Sequence, residues 1–417
     1  MMPMPIQPAR ISAATLTTAL GRGRRTHVDA LARMRPGLRP ALGSESEPNG
    51  AKPVLDELTA PCWVGVVDGL DDAPLTGTLA AFDCRNNRLA AVALETDDFA
   101  AQVDAARRRR GAHRIGLFLG TSTSGIRHSE LCYRRYVEQN LPGLGDDLRF
   151  DSTHAYISVA DFCRRRLRLA GPAMVISTAC SSGAKTFAAA HRALSVGLCD
   201  AAVVGGVDTL CATTLLGFQA LGLLSPTACT PWGLGRSGIS IGEGAAFALL
   251  ELAQDERSQG DAGAPALLGY GESDDAYHIA SPHPEGAGAL LAMRAALETA
   301  GLQPGDIDYI NLHGTGTPAN DLAEDRAVTA LFANAVPVSA TKGWTGHTLG
   351  AAGAVEAVLS LLCIEHGLLP GTLNTATPDP ELTAHLVRRS EPRRLDRVLS
   401  NAFGFAGNNC ALVLGRI

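Results

Sequence analysis

The chain has 417 residues, 46% of them apolar, and 36 Lys and Arg against 42 Asp and Glu leave a net charge of −6. That is enough apolar material for a large core without covalent staples, and the acidic balance excludes a globally basic nucleic-acid binder. At roughly 150 residues per domain the length allows two or three domains, while 45 Gly and only 5% aromatic residues point to close backbone packing and many turns.

In chain order, Ala9–Thr15 reads as a first strand, and residues 20–60 as a helix followed by a Pro- and Glu-containing loop. Trp63–Val67 is the next strand. Apolar residues at helical spacing follow from Asn86 to Phe99, and the run Arg107–Arg110 reads as a solvated helix face. Arg114–Leu119 is a strand running into GTSTSG. From Pro172 the pattern sharpens: AMVIS as a buried strand, TACSSG as a tight turn, AKTFAAAHRALSVGLC as a helix and AAVVGGVD as a strand. This is a βαβ unit whose first turn carries Cys180.

A similar unit recurs late. Asp308–Leu312 is a strand delivering HGTGTP, Val336–Ala340 a strand delivering TKGWTGHTLGAAG, and AVEAVLSLLCIEHG an apolar helix. Arg397–Ser400 is a strand delivering NAFGFAGNN. Element order therefore predicts an internal duplication with its joint near residues 255–270, where QDERSQGDAGAP is polar and marked by Gly and Pro. The expected halves are 1–260, carrying Cys180, and 261–417, carrying His313 and His347.

Ten cysteines, at 62, 84, 132, 163, 180, 199, 211, 229, 363 and 410, form no CxxC pair. That argues against a zinc ribbon or an iron–sulfur centre. No signal-peptide h-region opens the chain, and every apolar run is broken before about 18 residues, so a cytoplasmic protein without a membrane span is expected. Nine thiols read as small buried hydrophobes. Cys180 differs, because a strand-to-helix turn places it where first-turn amides and the helix dipole stabilise a thiolate.

His313 ends a strand, with Gly314 and Gly316 permitting close backbone approach and Thr315 and Thr317 placing hydroxyls beside the imidazole. His347 sits in the later turn between Gly346 and Thr348. Lys342, five residues before it, and Glu356, nine after it, could orient it or pair with each other, a surface salt bridge being the plainer reading of Lys342. In NAFGFAGNN the Phe405 N–H could complete an oxyanion hole with that of Cys180, and its ring could gate a narrow pocket. The early GxGxxG of dinucleotide binders, HExxH and GxSxG are all missing.

Together VISTACSSGA, NLHGTGTPAND, TKGWTGHTLGAAGAVEA and SNAFGFAGNN resemble the β-ketoacyl-[acyl carrier protein] synthases of the thiolase superfamily, elongating type. The resemblance runs from about residue 8 to the end, is weakest at 30–80, and GWTGHTLGAAG is similar to synthases of aryl-polyene pigment clusters. It implies an α/β thiolase-like fold, two duplicated halves in an α-β-α-β-α body. It implies an acyl chain carried as a thioester on Cys180 and decarboxylative condensation with malonyl-[acyl carrier protein] beside His313 and His347. Lys342 and Glu356 would support the histidines, and Thr315 and Thr317 would lie along the pantetheine arm. No metal or prosthetic group is implied, since phosphopantetheine arrives on the carrier. The implied partners are an acyl carrier protein and a second subunit, identical or chain-length-factor-like. Arg127, Arg134, Arg135 and Arg164–Arg166 are candidates for a basic carrier-docking face. An acyltransferase, a decarboxylase or a non-elongating tunnel-shaping subunit are the rivals, the last weakened by Cys180. Two segments depart from the family pattern: PWGLGRSGI from Pro231 lacks the aspartates of PFDxxRDGF, and GFAGNN from Gly404 replaces GFGGTN. Ala406 should restrict the gate turn, and Asn408 stands for a threonine.

Overall fold

The computed structural model describes residues 5–42, 54–253 and 263–417. Its main sheet contains β1 (Ala9–Thr18), β2 (Ile115–Gly120), β3 (Ala173–Ile176), β4 (Ala201–Asp208), β5 (Gly244–Leu252), β6 (Pro265–Asp274), β7 (Tyr309–Leu312), β8 (Val338–Ala340), β9 (Arg397–Phe403) and β10 (Asn408–Arg416). The spatial order is β8-β7-β9-β10-β6-β1-β5-β4-β2-β3.

Read outward from its middle, the order is the same in both directions. On one side β1 pairs antiparallel with β5, β5 antiparallel with β4, β4 parallel with β2, and β2 parallel with β3. On the other, β6, β10, β9, β7 and β8 repeat that sequence of antiparallel, antiparallel, parallel and parallel pairings. The two sets meet where Ala9 and Arg10 pair with Leu267 and Ala266. The duplication expected from element order is thus present in the strand topology. Most of the polar joint, residues 254–262, lies outside the described residues, and so does the expected boundary after 260. The end of that joint opens β6, so the strand begins inside the expected linker.

Helices α1 (Ser182–Ser195), α2 (Ala212–Ala220), α3 (Ala287–Ala300), α4 (Pro318–Phe332) and α5 (Ala352–His366) place the functional turns. α5 is buried on every side from Ala352 through Ile364, as a helix apolar all round must be. The stretch Leu349–His366, long and apolar enough to cross a membrane, is 89% buried within the protein. α1 and α5 are equivalent elements of the two halves and pack on each other in the central layer. Their crossing depends on two glycines: a Cβ on Gly183 would stand 2.7 Å from the Ala354 nitrogen, and one on Gly353 would stand 2.6 Å from the Ala184 nitrogen. Both are far inside contact distance, so only hydrogen fits at either place. The outer layers are the helices 85–94, 99–110 and 157–166 over one half, and α3 and α4 over the other.

Two local expectations change. β3 is not a buried strand: it lies at the sheet edge with β2 as its neighbour, and Met174 is 50% exposed. The arginine run is not simply solvated, because Arg107 and Arg108 pair with Asp104, and Arg109 and Arg110 reach Glu251.

Candidate active site

The βαβ unit delivers Cys180 through a strained turn. Ala179 has φ +52, a left-handed conformation that costs a non-glycine residue about 1 kcal/mol. The Ser182 hydroxyl accepts from the Thr178 N–H at 2.8 Å and donates to the Ala179 carbonyl, bracing the bend. The sulfur then sits just ahead of α1, 7% exposed.

His347 reaches the same point from the other half. Its N–H donates to the Ser240 carbonyl at 2.7 Å, its carbonyl accepts from the Gly242 N–H at 3.0 Å, and Gly346 turns the chain at φ +76. Its Nε2 lies 3.0 Å from Cys180 Sγ. His313 arrives at the end of β7, its ring edge-on to His347 at 86° with centroids 5.4 Å apart. Cys180, His313 and His347 present their ligand-type atoms within 4.8 Å of one another, all buried. Three residues separated by up to 167 positions thus form one cluster.

Lys342 is not on the surface. It is buried, with Nζ 2.5 Å from Glu356 Oε1, 2.5 Å from the His313 carbonyl and 3.2 Å from His313 Nδ1. An ammonium can only donate, so His313 Nδ1 is the acceptor and the ring proton sits on Nε2. Glu356 is pushed up to about 7 because burial outweighs the pull of Lys342. Burial first, then Lys342, and for His313 also His347, hold both histidines well below the usual imidazole value. Both are therefore neutral near pH 7. Burial likewise pushes the Cys180 thiol up to about 11, with Lys342 and a hydrogen bond from the Phe405 N–H pulling against it. The resting sulfur is a thiol, and the thiolate expected from the helix dipole alone does not persist against that burial.

Phe405 stands where the sequence placed it. Cys180, His313, His347, Thr315, Thr317 and Phe405 line a cavity of about 270 Å³, and Cys180 and Phe405 also line an apolar one of about 320 Å³ against α2. The Phe405 ring packs on Phe218 of α2 with centroids 5.6 Å apart. Thr315 and Thr317 share a hydroxyl hydrogen bond of 2.9 Å. Ala406 adopts φ +59, so its Cβ strains the turn without preventing it. In PWGLGRSGI the Arg236 side chain is buried between Asp321 and Asp379, and the Trp232 N–H donates to Asp321 at 2.8 Å.

Two acids escaped the sequence reading. Glu324 on α4 accepts from the His313 N–H at 2.7 Å, the Gly314 N–H at 2.8 Å and Asn401 Nδ2 at 3.0 Å. Asp208, ending β4, accepts from Thr121, Ser122, Thr123 and the Ala351 N–H. Neither stood out in the sequence: Glu324 is one of several charges in the NDLAEDR run of α4, and Asp208 a single acid at the end of an apolar strand. The arginine candidates for docking are already engaged. Arg127 pairs with Glu57 and Glu130, Arg134 with Asp56 and Glu57, Arg135 with Asp147, Arg164 and Arg165 with Asp161, and Arg166 with Glu95.

Family comparisons agree with this geometry. The model of the beta-ketoacyl synthase N-terminal domain matches residues 88–256, and that of the C-terminal domain residues 266–376. The 3-oxoacyl-[acyl-carrier-protein] synthase 2 of Staphylococcus aureus is 35% identical over 317 residues, covering 72% of this chain and 77% of that protein. A chain of the complex between the ketosynthase ApeO and its chain length factor ApeC from Xenorhabdus doucetiae superposes with a TM-score of 0.87 at 38% identity, covering 99% of this chain and 98% of that one. The ishigamide ketosynthase/chain length factor gives 0.85 at 27% identity, covering 99% of this chain and 100% of that one.

Proposed function

This chain belongs to the β-ketoacyl synthase family, the condensing branch of the thiolase superfamily, and we propose the following course for its reaction. The enzyme performs a decarboxylative Claisen condensation in chain elongation. The observation that carries the reading is the 3.0 Å approach of His347 Nε2 to Cys180 Sγ, beside a neutral, lysine-oriented His313.

In the first half-reaction an acyl thioester on a carrier protein reaches Cys180. His347 Nε2 takes the thiol proton as sulfur attacks the carbonyl, and returns it to the departing carrier thiol. The Cys180 and Phe405 N–H groups stabilise the tetrahedral oxyanion. In the second half a malonyl thioester extends past Thr315 and Thr317. Its thioester carbonyl accepts from Nε2–H of His313 and of His347, which hold the enolate as carbon dioxide leaves. His347 Nδ1 has no partner among the described residues, so its ring can carry the proton on either nitrogen. The carbanion attacks the acyl-Cys180 carbonyl and expels the Cys180 thiolate, which takes a proton from solvent to restore the resting thiol, leaving a product two carbons longer. Two neutral donors suit this: they stabilise a developing enolate without protonating it in advance.

The partners we assign are an acyl carrier protein and a second synthase subunit in a dimer. Two features support a subunit contact: the edge strand β3 with exposed Met174, and the nearby exposed Val196 and Leu198. A chain-length-factor-like partner is the reading favoured by the likeness to the ApeO–ApeC complex. We take 1–260 and 261–417 as the two halves and the cytoplasm as the compartment. Incubation with acyl- and malonyl-carrier protein, with a candidate partner supplied, should give a β-ketoacyl product two carbons longer by mass spectrometry. Cys180→Ala should abolish the acyl adduct. No extended product from loaded carriers, or an adduct that survives in Cys180→Ala, would overturn the assignment.

A further inference from the structure

The turn that carries Phe405 is fixed mostly by backbone hydrogen bonds to one neighbour. The Gly407 carbonyl accepts from the Asp275 N–H at 3.0 Å, the Ala406 N–H donates to the Ile279 carbonyl at 2.8 Å, and Asn409 Nδ2 donates to Asp275 at 2.8 Å. These ties bind the turn to the loop after β6, a strand that itself meets the nucleophile's helix where Glu272 pairs with Arg192.

Toward the nucleophile's helix the turn has the Phe405 N–H bond to Cys180 itself and one side-chain bond. Lys185, on α1 five residues after Cys180, donates from Nζ to Asn408 Oδ1 at 2.9 Å, and its side chain is only 13% exposed. Because an ammonium only donates, Asn408 must present its oxygen, which fixes the amide orientation. Glu272 Oε1 lies 4.0 Å from Nζ and supplies a counter-charge, while its other oxygen takes Arg192 at 2.5 Å. Between Phe405 and Asn408 stands Ala406 at φ +59, a conformation that must be imposed by its anchors.

We propose that Lys185 is a positioning residue: through Asn408 it registers the Phe405 turn against α1, so that the oxyanion-hole N–H on the turn and the sulfur at the helix start keep one spacing. This rests on the functional reading above for its catalytic consequence, though not for its structural one. The physical reason is that Cys180 and Phe405 come from opposite halves of the chain. A donor aimed at a transition state loses its value when displaced by a fraction of an ångström. The Lys185–Asn408 bond is the side-chain strut between the two.

The test compares wild type, Lys185→Met, Asn408→Ala, the double variant and Lys185→Arg in two assays. Condensation kinetics should show kcat reduced about tenfold or more in each single variant, as loss of one charge-assisted hydrogen bond gives, with KM for the malonyl carrier unchanged. The double variant should be no slower than either single one, and Lys185→Arg should recover most of the rate. Alkylation of Cys180 by iodoacetamide, which needs no condensing activity, should show the same non-additive pattern. Additive effects, or rates unchanged in both assays while only thermal stability falls, would overturn the proposal. Wild type that is alkylated with the expected coupling but yields no condensation product would instead sink the functional reading and leave the strut standing.

Discussion

Replacing Lys342 by methionine should separate stability from catalysis at this site. Methionine nearly matches the lysine stem, so little cavity forms and the change is mainly electrostatic. Three contacts disappear, at 2.5 Å to Glu356, 2.5 Å to the His313 carbonyl and 3.2 Å to His313 Nδ1. Glu356 is then a buried carboxyl without a cation, and its Oε2 already has no partner among the described residues. Breaking a buried pair in this way costs about 3–5 kcal/mol. The group escapes part of that cost by keeping its proton. Glu356 stands at about 7 with Lys342 present and rises further without it, whereas the unfolded value is near 4.5. As pH rises from 4.5 the unfolded chain releases this proton first, so the raised pKa erodes stability with increasing pH. The deficit of Lys342→Met in urea titrations should therefore be larger at pH 8 than at pH 6. Lys342→Met/Glu356→Leu, which removes the stranded acid, should recover most of the stability. It should not recover activity: His313 loses the donor that fixes its proton on Nε2, and kcat should stay depressed by about 10- to 100-fold. A loss under about 1 kcal/mol at pH 8, a double variant as unstable as the single one, or kcat returning together with stability would refute this account.

The histidines and the thiol make a pH prediction. His313 and His347 lie well below 6.5, so the acid limb of kcat should also fall well below pH 6.5. Below that pH the unfolded chain takes up protons before the folded one, so both groups lower stability as pH falls. Alkylation of Cys180, whose thiol stands at about 11, should keep rising from pH 7 to pH 9; a plateau near neutrality would reveal a resting thiolate ion pair and contradict the burial argument. Gly183→Ala should lower stability by about 3 kcal/mol, because its Cβ would stand 2.7 Å from a backbone nitrogen of α5. Its denaturation midpoint, measured beside that of Ala184→Gly, would refute the crossing argument if it matched wild type.

The sequence determined the local units and the chemistry-bearing residues. Period-two and helical apolar patterns, broken by Gly-, Ser- and Thr-rich turns, are properties of a few adjacent residues, and they placed Cys180, His313, His347 and Phe405 on turns. The resemblance carried by those same turns implied the reaction. Burial was less legible, because it depends on what lies across the fold. β3 has an apolar sequence yet sits at an edge, and Lys342 is a lysine yet sits in the core. Glu324 and Asp208 were silent because one more charge in a charged helix run, or one acid ending a strand, has no local signature; they matter through turns 10 to 11 and 85 to 87 residues away. Only the tertiary structure could bring the two halves' central helices together at Gly183 and Gly353, and that crossing sets Cys180 beside His347. Patterns along a chain report which face of an element is apolar. Which elements those faces meet, and so which charges are buried and which neighbours set each proton, is decided by packing.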